Sequence, residues 1–178
     1  MSTLLHICCA PCSITCIEDL RAEGVEPVGY WNNPNIHPYT EYRQRRDTLV
    51  DYAASIGLAL VQDGEYGLRP FLAATAADPG HRCPFCYRAR LEPAARYAAE
   101  HGFDAFTTTL LVSPYQDHGL LLEVGAAMGE QYNVAFLPRD FRPRFREGQQ
   151  TARGLGLYMQ KYCGCIYSEE DRYCRKKK

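Results

Sequence analysis

The chain has 178 residues, nine of them cysteines, and a formal net charge of −1. That length suits one domain over residues 1–178 and is enough to bury about 70% of the unfolded surface, which excludes a miniature scaffold that folds only around disulfides or zinc. A hydrophobic share of 46% and a charged share of 23% exclude a disordered, collagen-like or coiled-coil chain.

Leu4 to Ile7 read as a first strand, followed by a loop over Cys8 to Ser13. Ile14 to Glu23 read as a helix with Ile14, Ile17 and Leu20 on one face and Gly24 as its stop. Val25 to Trp31 form the second strand, broken by Asn32-Asn33-Pro34-Asn35. Thr40 caps a long helix through Ser55, Ala59 to Gln62 form a third strand, and Leu68 to Ala76 a short helix. Pro84 to His101 form a helix that Gly102 ends, Ala105 to Leu111 a fourth strand, and Gln116 to Gln131 a further helix. Asn133 to Leu137 make a fifth strand, and Gly148 to Tyr162 a closing helix. Strands alternating with helices predict an α/β fold, a parallel sheet with helices on both faces. In such a sheet a site lies beyond the carboxyl ends of the strands, where the loops over Cys8–Ser13, Asn32–Pro38 and Val112–Asp117 converge.

The N-terminus lacks a basic region, and its apolar run is interrupted by His6, so it does not read as a signal peptide. No stretch approaches the ~18 apolar residues of a membrane span. A cytoplasmic location is expected, where thiols stay reduced and clustered cysteines serve metals or redox exchange. The cysteines fall in three groups: Cys8-Cys9-Ala10-Pro11-Cys12, Cys83-Pro84-Phe85-Cys86 and Cys163-Gly164-Cys165. Cys16 and Cys174 read as incidental. Cys83 and Cys86 open a helix, whose positive dipole end favours thiolates. Neighbouring side chains diverge, so Cys8 and Cys9 are expected to serve two different atoms. Structural zinc and thioredoxin-type exchange each need fewer thiols than these, and an iron–sulfur cluster fits their number and softness best. The radical-SAM spacing is absent, and no glycine-rich phosphate loop follows the first strand. Charge is uneven: residues 1–138 hold 9 basic and 16 acidic side chains, and residues 139–178 hold 11 and 5. The basic C-terminal third, with a tail from about residue 169, points to an anionic partner such as RNA.

Five segments in order carry a resemblance: Leu4-Leu5-His6-Ile7-Cys8-Cys9-Ala10-Pro11-Cys12; Asn33-Pro34-Asn35-Ile36-His37-Pro38 with Glu41-Tyr42; Arg82-Cys83-Pro84-Phe85-Cys86 with Arg90-Leu91; Gly102-Phe103-Asp104 and Phe106-Thr107-Thr108-Thr109-Leu110 with Ser113-Pro114; and Tyr162-Cys163-Gly164-Cys165 with Ser168. Together they resemble the cobalamin-independent epoxyqueuosine reductase family, QueH. The resemblance implies removal of the epoxide oxygen of epoxyqueuosine at the wobble position of tRNA, giving queuosine. It implies a single-domain Rossmann-like sheet related to ATP-pyrophosphatase-type (HUP-like) domains, and a [4Fe-4S] cluster with a further metal or redox function at neighbouring cysteines.

On that footing Cys8, Cys9, Cys83 and Cys86 are the expected cluster ligands. Cys163 and Cys165, with Cys12, are expected to bind an additional iron or to form a redox disulfide. Electrons come from an external donor, since no amino acid supplies them at low potential. Asp117, Tyr42 and His37 are candidate proton donors to the departing oxygen. Arg43, Arg45 and Arg46, and later Arg139, Arg142, Arg144 and Arg146, are candidate phosphate contacts for tRNA. Trp31, Tyr39 and Tyr115 are candidate platforms for a flipped base. The rival reading is a non-catalytic metal-binding protein that binds tRNA or senses redox state.

Overall fold

The computed structural model describes residues 1–174; the basic run Arg175 to Lys178 lies outside the described residues. Five parallel strands form one sheet: β1 (Thr3–His6), β2 (Pro27–Trp31), β3 (Leu60–Gln62), β4 (Ala105–Thr108) and β5 (Ala135–Phe136), in the order β3-β2-β1-β4-β5. Every residue of β1 and β4 is buried, as a parallel sheet covered on both faces requires.

The main helices are α1 (Ala10–Ala22), α2 (Tyr39–Ser55), α3 (Leu68–Thr75), α4 (Arg82–Glu100), α5 (His118–Tyr132), α6 (Phe145–Gly154) and α7 (Ile166–Tyr173). Strand order reverses direction after β3, so right-handed crossovers put α1 and α2 on one face and α4 and α5 on the other. The packing agrees, with α1 against α2 and α6, and α4 against α5. The switch in strand order falls between β1 and β4, where His6 pairs in register with Thr108. Ligand sites of such sheets open at that point.

Several boundaries differ from the sequence expectation, and three of the differences shape the site. The first helix begins at Ala10, because Pro11 at its first turn needs no hydrogen-bond partner for a missing N–H. Cys12 therefore projects from α1 and not from a loop. The fourth strand stops at Thr108, whose hydroxyl accepts a hydrogen bond from the Leu110 amide and opens a 3-10 turn over Thr109–Val112. The expected last helix over 148–162 starts earlier, at Phe145, and ends at Gly154. Gly156 takes a left-handed conformation with φ 68°, and Leu157 donates to the Ala152 carbonyl, a Schellman-type closure that ends α6. Residues 157–165 are a loop, and α7 follows as a helix that hydrophobic patterning did not announce. The fifth strand is also shorter than expected, because Asn133 closes α5 in a left-handed conformation with φ 52°.

Candidate metal centre and cleft

His6 ties the strand ends together. It is fully buried, its Nδ1 lies 2.8 Å from the Thr108 hydroxyl, and its Nε2 lies 3.2 Å from Asn33 Oδ1. Burial lowers its pKa to about 4, so the ring is neutral. Asn33 Nδ2 donates to the Ile7 carbonyl at 2.9 Å. Of the three loops expected to converge, the one over Asn32–Pro38 meets the end of β1 here, while Cys8 and Cys12 share a cleft lining with Ser113, Tyr115 and Gln116 of the third.

Directly beyond this knot, the sulfurs of Cys8, Cys9 and Cys12 all lie within 4.8 Å of one another, and all three residues are buried. Among the described residues this is the one group of three or more metal-ligating side chains packed so tightly. Cys8 and Cys9 do not diverge as expected: their sulfurs are 3.8 Å apart. Cys9 is an extended residue that caps α1, and the change of backbone direction there swings both sulfurs to one side. About 3.8 Å is the edge of a tetrahedron with metal–sulfur bonds of ~2.3 Å. Hydrogen bonds from the thiols of Cys12 and Cys9 pull the Cys8 pKa well down, while burial pushes that of Cys9 well up. Three thiols sharing one buried site favour a bound metal ion, which would displace their protons. Thr109, at the start of the 3-10 turn, accepts from the Cys8 amide at 3.1 Å and places its hydroxyl 3.4 Å from Cys8 Sγ.

The second group forms where the first turn of α4 meets the loop before α7. Cys83 and Cys86 have Cys163 and Cys165 as electrostatic neighbours. Burial pushes the Cys86 pKa up to about 12. Asn35 Nδ2 donates to Cys86 Sγ at 2.5 Å, and Gln116 Nε2 donates to Cys163 Sγ at 3.2 Å. Cys12 thus joins Cys8 and Cys9, and Cys83 and Cys86 face Cys163 and Cys165. Cys16 is buried with its thiol 3.3 Å from the Cys12 carbonyl, and Cys174 is exposed at the end of α7.

Two buried arginines flank the turn Cys163-Gly164-Cys165. Arg45 is held by Glu41 at 2.7 Å and donates to the carbonyls of Cys163 and Tyr162, both at 2.9 Å. Tyr158 donates to the other Glu41 oxygen. Arg90 donates through Nε to Asn35 Oδ1 at 2.7 Å, but its Nη2 has no partner and it forms no ion pair among the described residues. A buried guanidinium without a counter-charge costs several kcal/mol. The groups beside it are thiols, so the donor set fits a metal centre with bound thiolates: these residues require negative charge where sulfur ligands would supply it.

A cleft of about 850 Å3 opens over this region. Cys8, Cys12, Thr109 and Cys163 line it, along with Gln160, whose Nε2 donates to Cys9 Sγ at 3.0 Å and to Cys12 Sγ at 3.3 Å. Its cationic lining comprises Arg45, Arg146, Arg153, Lys161 and Arg172, and among the described residues no carboxylate lines it. Tyr115, 85% exposed, stands edge-on to Phe145, and both rings line the cleft.

The remaining expected residues are placed elsewhere. Trp31 is 1% exposed and packs on Tyr42, whose hydroxyl accepts from the indole at 3.4 Å, so neither Trp31 nor Tyr42 faces the cleft. His37 is buried and holds the last loop: its amide donates to the Gly164 carbonyl at 2.7 Å, and its Nδ1 accepts from the Ile166 amide at 3.2 Å. Asp117 caps α5 through the Leu120 amide. Arg139 pairs with Glu23, Arg142 with Asp140, Arg144 with Glu18, Asp19 and Glu147, and Arg46 with Asp47. Tyr39 is half exposed and Arg43 exposed, outside the cleft lining. Sequence reasoning missed Gln160, Lys161, Arg153 and Arg172 because it placed the first three on or beside a continuous helix. A glutamine three residues before Cys163 was the available signal.

The model of the family described as epoxyqueuosine reductase QueH matches residues 3–171. Relatives under that name include those of Dehalococcoides mccartyi, 34% identical with 96% of this chain and 93% of the relative covered, and of Thermotoga maritima, 34% identical with 96% and 92% covered. Among solved structures, the U34-tRNA thiolase NcsA of Methanococcus maripaludis, solved with its [4Fe-4S] cluster, superposes with a TM-score of 0.64 at 17% identity, over 94% of this chain and 61% of the thiolase. Among the described residues, no helix is long and apolar enough to cross a membrane. With the family model spanning nearly every described residue and relatives aligned almost end to end, the chain belongs to the epoxyqueuosine reductase QueH family.

Proposed function

We propose that this protein reduces epoxyqueuosine to queuosine at the wobble position of tRNA. The reaction takes up two electrons and two protons, breaks both C–O bonds of the epoxide, leaves an alkene and releases the oxygen as water. The observation that carries this reading is the position of three buried thiols, two of them lining a cationic cleft. A phosphate-bearing substrate fits such a cleft, and a redox centre fits its floor.

Family membership favours an iron–sulfur centre. Cys83, Cys86, Cys163 and Cys165 supply the four thiolates that a [4Fe-4S] cluster takes. Cys8, Cys9 and Cys12, whose sulfurs lie within 4.8 Å of one another, would hold an additional iron. This division replaces the expected pairing of Cys8 and Cys9 with Cys83 and Cys86. When bound, such a centre supplies low-potential electrons from an external donor and a Lewis acid for the epoxide oxygen.

The protein's own side chains do the rest. Arg146, Arg153 and Arg172 hold phosphates along the cleft wall. Tyr115, backed by Phe145, stacks on a base turned out of the anticodon. Lys161, beside the sulfur-bound Gln160, donates a proton from Nζ to the departing oxygen. His37 and Arg45 position the loop that carries Gln160 and Cys163.

Protein purified without oxygen should be brown and carry iron and acid-labile sulfide. Cys83→Ser and Cys9→Ser should each lose much of that iron. Colourless protein with stoichiometric zinc would overturn the iron–sulfur reading.

A further inference from the structure

We propose that Arg90 is a counter-charge built into the metal centre, and that it sets how readily the centre accepts electrons. This rests on the iron–sulfur reading above.

Two arginines are buried beside the thiols, and only one is satisfied. Arg45 is 2% exposed and spends its charge on Glu41 and its remaining donors on two carbonyls. Arg90 is 1% exposed, makes no ion pair among the described residues and leaves Nη2 unpartnered. That nitrogen lies 3.5 Å from the position a Cβ on Gly164 would occupy, so it abuts the Cys163–Cys165 turn. Burial opposes the charge of Arg90, and thiolates at Cys86, Cys163, Cys8 and Cys165 would offset it.

The placement follows from helix geometry. Arg90 lies four residues after Cys86 on α4, so cation and thiol share one face. A second route runs through Asn35. Arg90 Nε holds Asn35 Oδ1 at 2.7 Å, which turns the amide so that Nδ2 donates to Cys86 Sγ at 2.5 Å. Turned the other way, the amide would set its oxygen against sulfur and its donors against the guanidinium.

Each electron that enters a sulfur-ligated centre makes it more negative. A buried cation and hydrogen bonds to the ligand sulfur both favour the reduced form, which raises the reduction potential. Arg90 makes and breaks no bond in the reaction and is a positioning residue.

The test uses holoprotein purified anaerobically, with iron and sulfide per chain measured first and the midpoint potential then read by a dye-mediated titration followed by electron paramagnetic resonance. Arg90→Lys keeps the charge and should stay near the wild-type potential. Arg90→Met should shift it downward at unchanged iron content, and Asn35→Ala should shift it downward by less. Arg90→Met with full iron and the wild-type potential overturns the proposal. If that variant does not load iron, Asn35→Ala decides: loaded but unshifted, it overturns the proposal equally. Loss of iron in all three variants with no shift in what remains would mark Arg90 as merely structural. Wild-type protein without iron would instead overturn the iron–sulfur reading and leave this inference without its subject.

Discussion

His37 shows how a residue that reads as chemical can be architectural. Its ring is buried among Tyr66 and Phe71, and Nδ1 accepts a hydrogen bond, so it must stay neutral. Burial lowers its pKa to about 4, against 6.5 for the free side chain. The unfolded chain then binds more protons than the folded one between these values, and stability rises with pH across that window. The contribution is complete above pH ~6.5 and is lost as pH falls toward about 4. In chemical denaturation, wild type should lose more stability over this range than His37→Asn; parallel curves would remove His37 from the account. Lys161 is the opposite case, a residue of no evident pattern that lines the cleft beside Gln160. Lys161→Met should keep its iron while its turnover number falls by roughly 10²-fold or more, as loss of a general acid does. A variant with wild-type turnover would show that the proton comes from elsewhere. The cysteine groups were legible because thiols in Pro- and Gly-containing loops have few other uses. The pairing of Arg139 and Arg144 was not, because their acidic partners Glu23, Glu18 and Asp19 lie more than a hundred residues earlier.

At the scale of elements, α5 and β5 meet so closely that only glycine fits between them. A Cβ on Gly129 would lie 2.8 Å from the Val134 carbonyl, a backbone atom that cannot swing aside. Gly129→Ala should therefore cost about 1–3 kcal/mol of overpacking, more than the ~0.5–1 kcal/mol that alanine returns in a helix. Gly154→Ala, with nothing within 4 Å, should be neutral or stabilising. Thermal melts of the two would separate packing from propensity, and equal melts would contradict the close approach. The strand–helix alternation was readable from apolar runs because each strand is covered on both faces. Local signals also misled: apolar and polar residues over 148–162 keep a helical look, yet Gly154 and Gly156 end α6 and release the loop that delivers Gln160 and Cys163. Glycine in a left-handed closure outweighed periodicity.

For the molecule as a whole, charge is arranged by tertiary pairing more than by sequence position. Among the described residues the basic C-terminal third splits into paired arginines, Arg139 and Arg144 on the α1 side and Arg142 on Asp140, and four cations, Arg146, Arg153, Lys161 and Arg172, that line the cleft without ion pairs. Binding to tRNA should weaken with salt, and replacing Arg146 and Arg153 by glutamine should reduce the slope of log affinity against log salt by roughly 0.7 per cation for a single-stranded loop. The same double change at Arg139 and Arg142 should leave the slope nearly unmoved; a reversal of the two results would place the RNA on another face. All of this serves one claim, that thiols gathered at the switch point of a parallel sheet carry a reductive step on a tRNA nucleoside. The most direct measurement is anaerobic incubation of the iron-loaded protein with tRNA containing epoxyqueuosine and a low-potential chemical reductant, followed by nucleoside analysis. Queuosine should appear in wild-type reactions and be lost with Cys8→Ser, whereas unchanged epoxyqueuosine with an intact metal centre would contradict the account.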